Sequence, residues 1–322
     1  MTLTVTSRGT KLKKYGSCLE AERPDGKDLV PVRGLDAVLI TAPCSLTSEA
    51  IVLCMERNIP ITMLDWKGAP LWRIDRIQGG AAPLIRRRQL TYGETKGGVA
   101  MAKRLLTEKN KNRIVFLKYI ASNRRNKAGQ AVKECCAEIE AILQKISDVH
   151  GESVKAIRQT LLGYEGTAGR AYYRMIGELL PQKANFQGRL PGSGEDVINQ
   201  MLNYGYGVLY HRLYSLCVQA CLDPYIGILH ADAYNEPVLV YDLIEPFRVT
   251  VESAVFKLAS KGRLSEERHL EPAEADGKAR LSGEAKRLLL TALEQELSGK
   301  RYGKNAEIRM KALTFELAAK LK

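Results

Sequence analysis

The stretch Arg-Ile-Gln-Gly-Gly-Ala-Ala-Pro at 76–83 splits the chain into two halves of different periodicity. Two adjacent glycines and a proline discourage either a strand or a helix from running through it. Before it, short apolar and β-branched runs lie between glycine and proline signals at 2–6, 18–22, 29–32 and 37–41. One short helix is expected at 48–57, a strand at Ile61–Leu64, and a turn at 65–68 leading into Pro70–Ile74. After Leu84 the apolar spacing changes to three and four residues, which predicts helices over 100–120, 130–146, 153–162, 166–180 and 198–222. The stripe Ile198, Leu202, Leu209, Leu213, Leu216 and Ala220 reads as a buried face, and a loop is expected at 181–194. The fold class that follows is α+β multidomain. A β-rich N-terminal domain over 1–75 is joined by a linker at 76–84 to a mainly α-helical domain over 85–322. A length of 322 residues suits two domains at about 150 residues each.

Composition narrows the class. Hydrophobic residues at 45% and charged residues at 26% exclude a disordered or fibrous chain. No apolar run approaches the roughly 18 residues that span a bilayer. The opening MTLTVTSRGTKLKK lacks the apolar core of a secretory signal, so no membrane partner and a cytoplasmic location are expected. The seven cysteines contain no C-x-x-C, which argues against a zinc ribbon or a disulfide framework. Cys217 and Cys221, near His211 on one helix, are expected simply to pack.

The net charge of +13 is unevenly spread. From Arg86 to Lys127 there are thirteen Lys/Arg against two acids, whereas from Lys261 onward fourteen basic residues are mixed with ten acidic ones. A solvated helix face usually mixes signs, as the tail does. The concentrated stretch instead suits a polyanion partner, with Arg86, Arg87, Arg88, Arg124 and Arg125 as candidate phosphate contacts.

Motifs remove several chemistries. There is no G-x-x-x-x-G-K-[ST] loop and no G-x-S-x-G elbow, and the pairs Gly205/Gly207 and Gly192/Gly194 lack the third glycine of a dinucleotide fingerprint. Of four histidines, His150 and His269 lie in charged, surface-like contexts and His211 lies within a long helix. His230 follows the apolar run Tyr225-Ile226-Gly227-Ile228-Leu229. Asp242 and Glu245 come shortly after, at i, i+3 spacing, and Glu165 stands between two glycines ahead of an expected helix. One imidazole with two or three carboxylates makes a hard O/N donor set for Mg²⁺ or Mn²⁺. The same Asp242-x-x-Glu245 also reads as a helix capping box, and Pro246 would fit at N1 if Glu245 were the cap. On the residues alone both readings stand.

At these positions the sequence resembles the CRISPR-associated protein one family, the spacer-acquisition integrase also called the CRISPR-associated endonuclease. The motifs that carry the resemblance are Glu165-Gly166-x-x-x-Arg170-x-Tyr172, Leu202-Asn203-Tyr204-Gly205-Tyr206 preceded by Asp196 and Asn199, Leu222-Asp223-Pro224-Tyr225-x-Gly227-x-Leu229-His230, and Val240-Tyr241-Asp242-Leu243-Ile244-Glu245-x-Phe247-Arg248. The segments 42–50, 59–61 and 65–71 resemble the family's N-terminal domain. Gly169, Val197 and Val249 depart from its usual alanine, proline and proline.

The resemblance implies a homodimer whose helical domain is catalytic, with a metal ion held by Glu165, His230 and Glu245. Asp242 is a further acidic contributor, and Arg170 and Arg248 are further DNA contacts. It also implies double-stranded and branched DNA as partners, a small ferredoxin-fold second CRISPR adaptation protein as companion, and the cytoplasm of a prokaryote. The implied reaction is attack of a DNA 3′-hydroxyl on a repeat phosphodiester, with nicking when water attacks instead. Acids that repel one another without the ion should be replaceable with the fold intact. The alternative is a non-catalytic DNA-binding scaffold whose acids are caps. A glycosidase built on paired carboxylates is more distant, since Trp66 and Trp72 both lie far from the acids in sequence.

Overall fold

The N-terminal part of the chain is strand-rich. In the computed structural model, which describes residues 2–65, 70–76, 81–122, 128–190, 196–271, 280–299 and 305–322, it builds two four-stranded sheets. The first contains β1 (Thr2–Val5), β5 (Ala37–Ile40), β7 (Ile61–Leu64) and β8 (Pro70–Ile74) in that order. Its first three strands are parallel and β8 closes one edge antiparallel. The second is a meander of β2 (Lys11–Tyr15), β3 (Cys18–Arg23) and β4 (Gly26–Pro31), with β6 (Ser45–Leu46) parallel to β2. Strand β2 is not evident from the sequence because Leu12 stands alone among lysines. Its side chain is buried while its neighbours face solvent, which is how a half-buried strand distributes its residues. Helix α1 (Ser48–Glu56), capped by Thr47, supplies Leu53 and Cys54 to a core that also holds Leu12, Leu19, Val38, Ile40 and Ile61.

A second, larger core organises the helical half. Its elements are α2 (Ala82–Tyr92), α3 (Lys96–Ser122), α4 (Ala128–Ser147), α5 (Val154–Leu179), α6 (Val197–Gln219), α7 (Val238–Ile244), α8 (Arg248–Ser260), α9 (Glu266–His269), the short strands β9 (Leu270–Glu271) and β10 (Arg280–Leu281), α10 (Gly283–Ser298) and α11 (Ala306–Lys320). The last three residues of the expected linker are already helical: Pro83 lies in the first turn of α2, where its missing N–H costs nothing. Residues 77–80 of that linker, most of the turn at 65–68 including Trp66, the pair Gly192/Gly194, and Arg124 and Arg125 lie outside the described residues.

The largest departure from expectation is α5. Gly163 and Gly166 suggested two helices with Glu165 in the break, yet one 26-residue helix runs through. The buried stripe of Ile157 and Leu161 resumes at Ala168, Ala171, Tyr172 and Met175, and half-buried Tyr164 packs against the core between them. This packing outweighs the roughly 1 kcal/mol that each mid-helix glycine costs. His269 is a second correction, because it is buried rather than at the surface. Arg73 of β8 joins the two halves by donating to Ser215 Oγ of α6 at 2.5 Å and lying over the Tyr214 ring. Among the described residues no helix is long and apolar enough to cross a membrane.

Candidate metal centre

The chain between α6 and α7 carries His230, and Asp242 shapes it. Asp242 is wholly buried, and its carboxylate accepts from the backbone N–H groups of Ile228 (2.6 Å), Leu229 (2.9 Å) and His230 (3.0 Å). The same carboxylate meets His230 Nδ1 at 2.6 Å. With Asp242 ionised, the proton sits on Nδ1 and the Nε2 lone pair is left for a ligand. Burial disfavours the charged imidazole, but the hydrogen bond and charge of Asp242, helped by the charge of Glu245, outweigh it and raise the His230 pKa. Gly227 is required here, since a Cβ would lie 2.5 Å from the His230 carbonyl oxygen. Arg158 of α5 fixes the same segment by donating to Leu229 O at 2.7 Å.

Glu245 opens a 3₁₀ turn (Glu245–Phe247) between α7 and α8 and is 4% exposed. Arg248 Nε donates to its Oε1 at 2.9 Å, and the Lys109 ammonium contacts its Oε2. Burial alone would raise this carboxyl. The Arg248 and Lys109 charges outweigh that effect and hold it at about 2. Lys109 also contacts Glu165 Oε1, so one ammonium stands between the two carboxylates. Asp242 and Glu245 therefore do not cap a helix. Asp242 lies inside α7, and the side chain of Glu245 meets Lys109 and Arg248 rather than a helix N–H. The expectation that the acids repel one another is also corrected, because cations separate them.

A buried polar layer supports this arrangement. Arg113, one turn after Lys109 on α3, pairs with Glu252 of α8 at 3.3 Å, and Glu252 also accepts from Tyr173 and Tyr206 at 3.0 Å each. Asn112 donates to Pro246 O at 2.6 Å and pins the turn that carries Glu245. Arg248 lies over the Tyr206 ring and donates to Tyr210 OH. It thus holds Glu245 in place instead of projecting freely as a DNA contact. Arg170 is exposed on α5, and Arg86, Arg87 and Arg88 are exposed on α2. Gln89, buried behind them, donates to Asp223 O and Ile226 O and accepts from Asp223 N, which ties the basic helix to the His230 segment.

Lys109, Gln89, Asn112 and Arg113 are not apparent as site residues from the sequence. A signal for three of them is present nonetheless: Lys109, Asn112 and Arg113 interrupt the α3 stripe of Leu105, Leu106, Phe116 and Leu117 where apolar residues were due. The same fact corrects the reading of the basic stretch as one phosphate-facing surface, because Lys109 and Arg113 face inward. Cys217 is buried, and all seven cysteines are free thiols.

The donor set of Glu165, His230 Nε2 and Glu245 Oε2 suits a hard divalent ion, and buried Oε2 has no hydrogen-bond partner beyond its contact with the ammonium. Among the described residues no three Asp, Glu, His or Cys side chains converge as a ready-formed metal cluster. The cation now between the carboxylates is Lys109.

Comparison with known proteins places the fold and the family of the chain. A solved Cas1 protein from Thermotoga maritima superposes with a TM-score of 0.78 at 20% identity, covering 100% of this chain and 97% of that one. A casposase bound to integration product also reaches 0.78, at 23% identity over 99% of this chain and 90% of that one. Among curated relatives, CRISPR-associated endonuclease Cas1 1 of Archaeoglobus fulgidus is 31% identical over 301 residues, 90% of this chain and 83% of its own length. CRISPR-associated endonuclease Cas1 3 of Thermus thermophilus is 29% identical over 89% of this chain and 82% of its own. The family profile described as CRISPR associated protein Cas1 matches residues 3–295, and the chain belongs to that family.

Proposed function

We propose that this protein is a metal-dependent DNA integrase and endonuclease of CRISPR adaptation, which joins spacer 3′-hydroxyl ends to a repeat phosphodiester. The observation that carries this reading is the meeting of Glu165 and Glu245 around one buried cation, with the imidazole that Asp242 aims close enough to Glu245 to feel its charge. A bound Mg²⁺ or Mn²⁺ would neutralise charge that builds on the phosphate oxygens. Asp242 keeps the His230 tautomer, Arg248 keeps Glu245 ionised, and Gln89 couples the exposed arginines of α2 to the segment that ends at His230. In the transfer, the attacking 3′-oxygen forms a bond to phosphorus as the bond to the repeat's own 3′-oxygen breaks. One phosphodiester replaces another, so no energy source is required.

Duplex and branched DNA, a second copy of this chain and a small ferredoxin-fold companion are the partners that suit this reaction. The solved complexes of similar fold include one titled as a Cas6-RT-Cas1–Cas2 complex and one as a TtCas1–DNA complex. A purely DNA-binding scaffold is less well supported, since neither Asp242 nor Glu245 serves as a cap. Replacing Arg86, Arg87 and Arg88 by alanine should weaken binding to all duplex sequences alike. The slope of log K against log salt should fall by about 0.9 for each phosphate left without its arginine. An unchanged slope in a binding titration removes α2 from the interface.

The decisive assay for the reaction uses supercoiled plasmid, the companion protein and short duplexes. Ends bearing 3′-OH should become covalently joined, because a held hydroxyl in line with the phosphate outcompetes water. Ends bearing 3′-phosphate or 3′-deoxy should not join, while nicking persists. Equal joining by blocked ends, or none under any metal condition, leaves only the nuclease.

A further inference from the structure

We propose that Lys109 is the resident cation of the site: its ammonium stands where a divalent ion would bridge Glu165 and Glu245, so that metal loading is an exchange of one cation for the other. This rests on the metal-site reading above and concerns how that site is filled. Among the described residues the hydrogen-bond and ion-pair partners of Lys109 are those two carboxylates. The side chain is 4% exposed, on the same face of α3 as Asn112 and Arg113, whose bonds to Pro246 and Glu252 fix the helix at this point. Its position is therefore set by the fold and not by a mobile surface.

The electrostatics require exchange. Two carboxylates are balanced by the Lys109 ammonium together with Arg248, which pairs with Glu245. A divalent ion bound between the same oxygens would lie within a few ångströms of the ammonium in a site shielded from water, where like charges repel strongly. The four-carbon stem of lysine lets the ammonium withdraw without moving α3. The way out lies past Glu165, whose side chain is 28% exposed, whereas Glu245 is closed in. Without metal, Lys109 keeps the two acids together and neutralised. With metal, it competes for the same oxygens and raises the concentration at which the site fills.

The test is direct measurement of Mn²⁺ binding, by calorimetry or by electron paramagnetic resonance of free Mn²⁺, on the full chain and on Lys109→Met. The exchange predicts that the variant binds Mn²⁺ about tenfold or more tightly, and that Mn²⁺ raises its melting temperature more than it raises the wild type's. A lysine that only braces the fold would destabilise both forms alike and leave the Mn²⁺ affinity unchanged. One that orients the carboxylates for the ion would weaken the affinity. Either result overturns the proposal while the metal site itself stands.

Should the variant fail to fold, amine labelling of the wild type read by mass spectrometry decides instead. Lys109 should label faster once Mn²⁺ saturates the site, and an unchanged rate overturns the exchange. Absence of Mn²⁺ binding to wild type and variant alike at millimolar concentration overturns the metal site and the exchange together.

Discussion

Glu165→Gln and His230→Ala should each lower Mg²⁺- or Mn²⁺-dependent cleavage and joining by more than about 100-fold. The figure follows from the chemistry of ligand support: replacing a group that merely orients a ligating histidine typically costs roughly 10- to 100-fold, and removing the ligand costs more. Asp242→Asn should fall in that range, because Asp242 acts through His230. Its amide would also set an N–H₂ against backbone N–H groups of residues 228–230 that now share two acceptor oxygens. The Asp242 variant should therefore lose stability as well as activity. Single-turnover plasmid nicking, run beside a thermal melt, separates the two effects. Full activity in either ligand variant ends the assignment of that residue.

Glu245→Gln should destabilise the metal-free protein by about 3 kcal/mol at neutral pH, the equivalent of lowering a buried carboxyl from its ordinary 4.5 to about 2. Its removal leaves the Arg248 charge without its carboxylate and Lys109 with Glu165 alone, which is the costly way to break a buried pair. The sign with pH follows from the depressed value. Glu245 contributes its full stabilisation above about pH 4.5 and loses it as the pH falls through about 2. The gap between wild type and variant in urea unfolding should be constant above about pH 4.5 and narrow as the pH falls from there through about 2. Equal urea midpoints at pH 7 would show that the cations gain nothing from Glu245. This differs from the sequence-based expectation of an intact fold in every ligand variant, and the reason is the inserted lysine.

How legible the molecule was depended on the range of the interactions involved. Periodicity exposed the change from a strand-rich to a helical region, because a buried stripe repeats within one element. The charged motif around His230 and Glu245 was visible for the same reason, since those residues lie within 16 positions of one another. Strand β2 was hidden, with its burial decided by pairing to β3 and not by its own lysine-rich composition. The glycines of α5 misled because packing along its whole length, invisible in a local window, decides whether a helix continues.

What the sequence by itself determined, then, was the order of strand-rich and helical segments and the residue types of the candidate site. Only the tertiary structure decided what surrounds those donors. Lys109 meets Glu165 across 56 positions and Glu245 across still more, and Arg113 meets Glu252 across 139. No spacing rule links such residues. A lysine on an amphipathic helix reads as solvated until the fold turns its face inward, and in a site shielded from water its charge then governs both carboxylates.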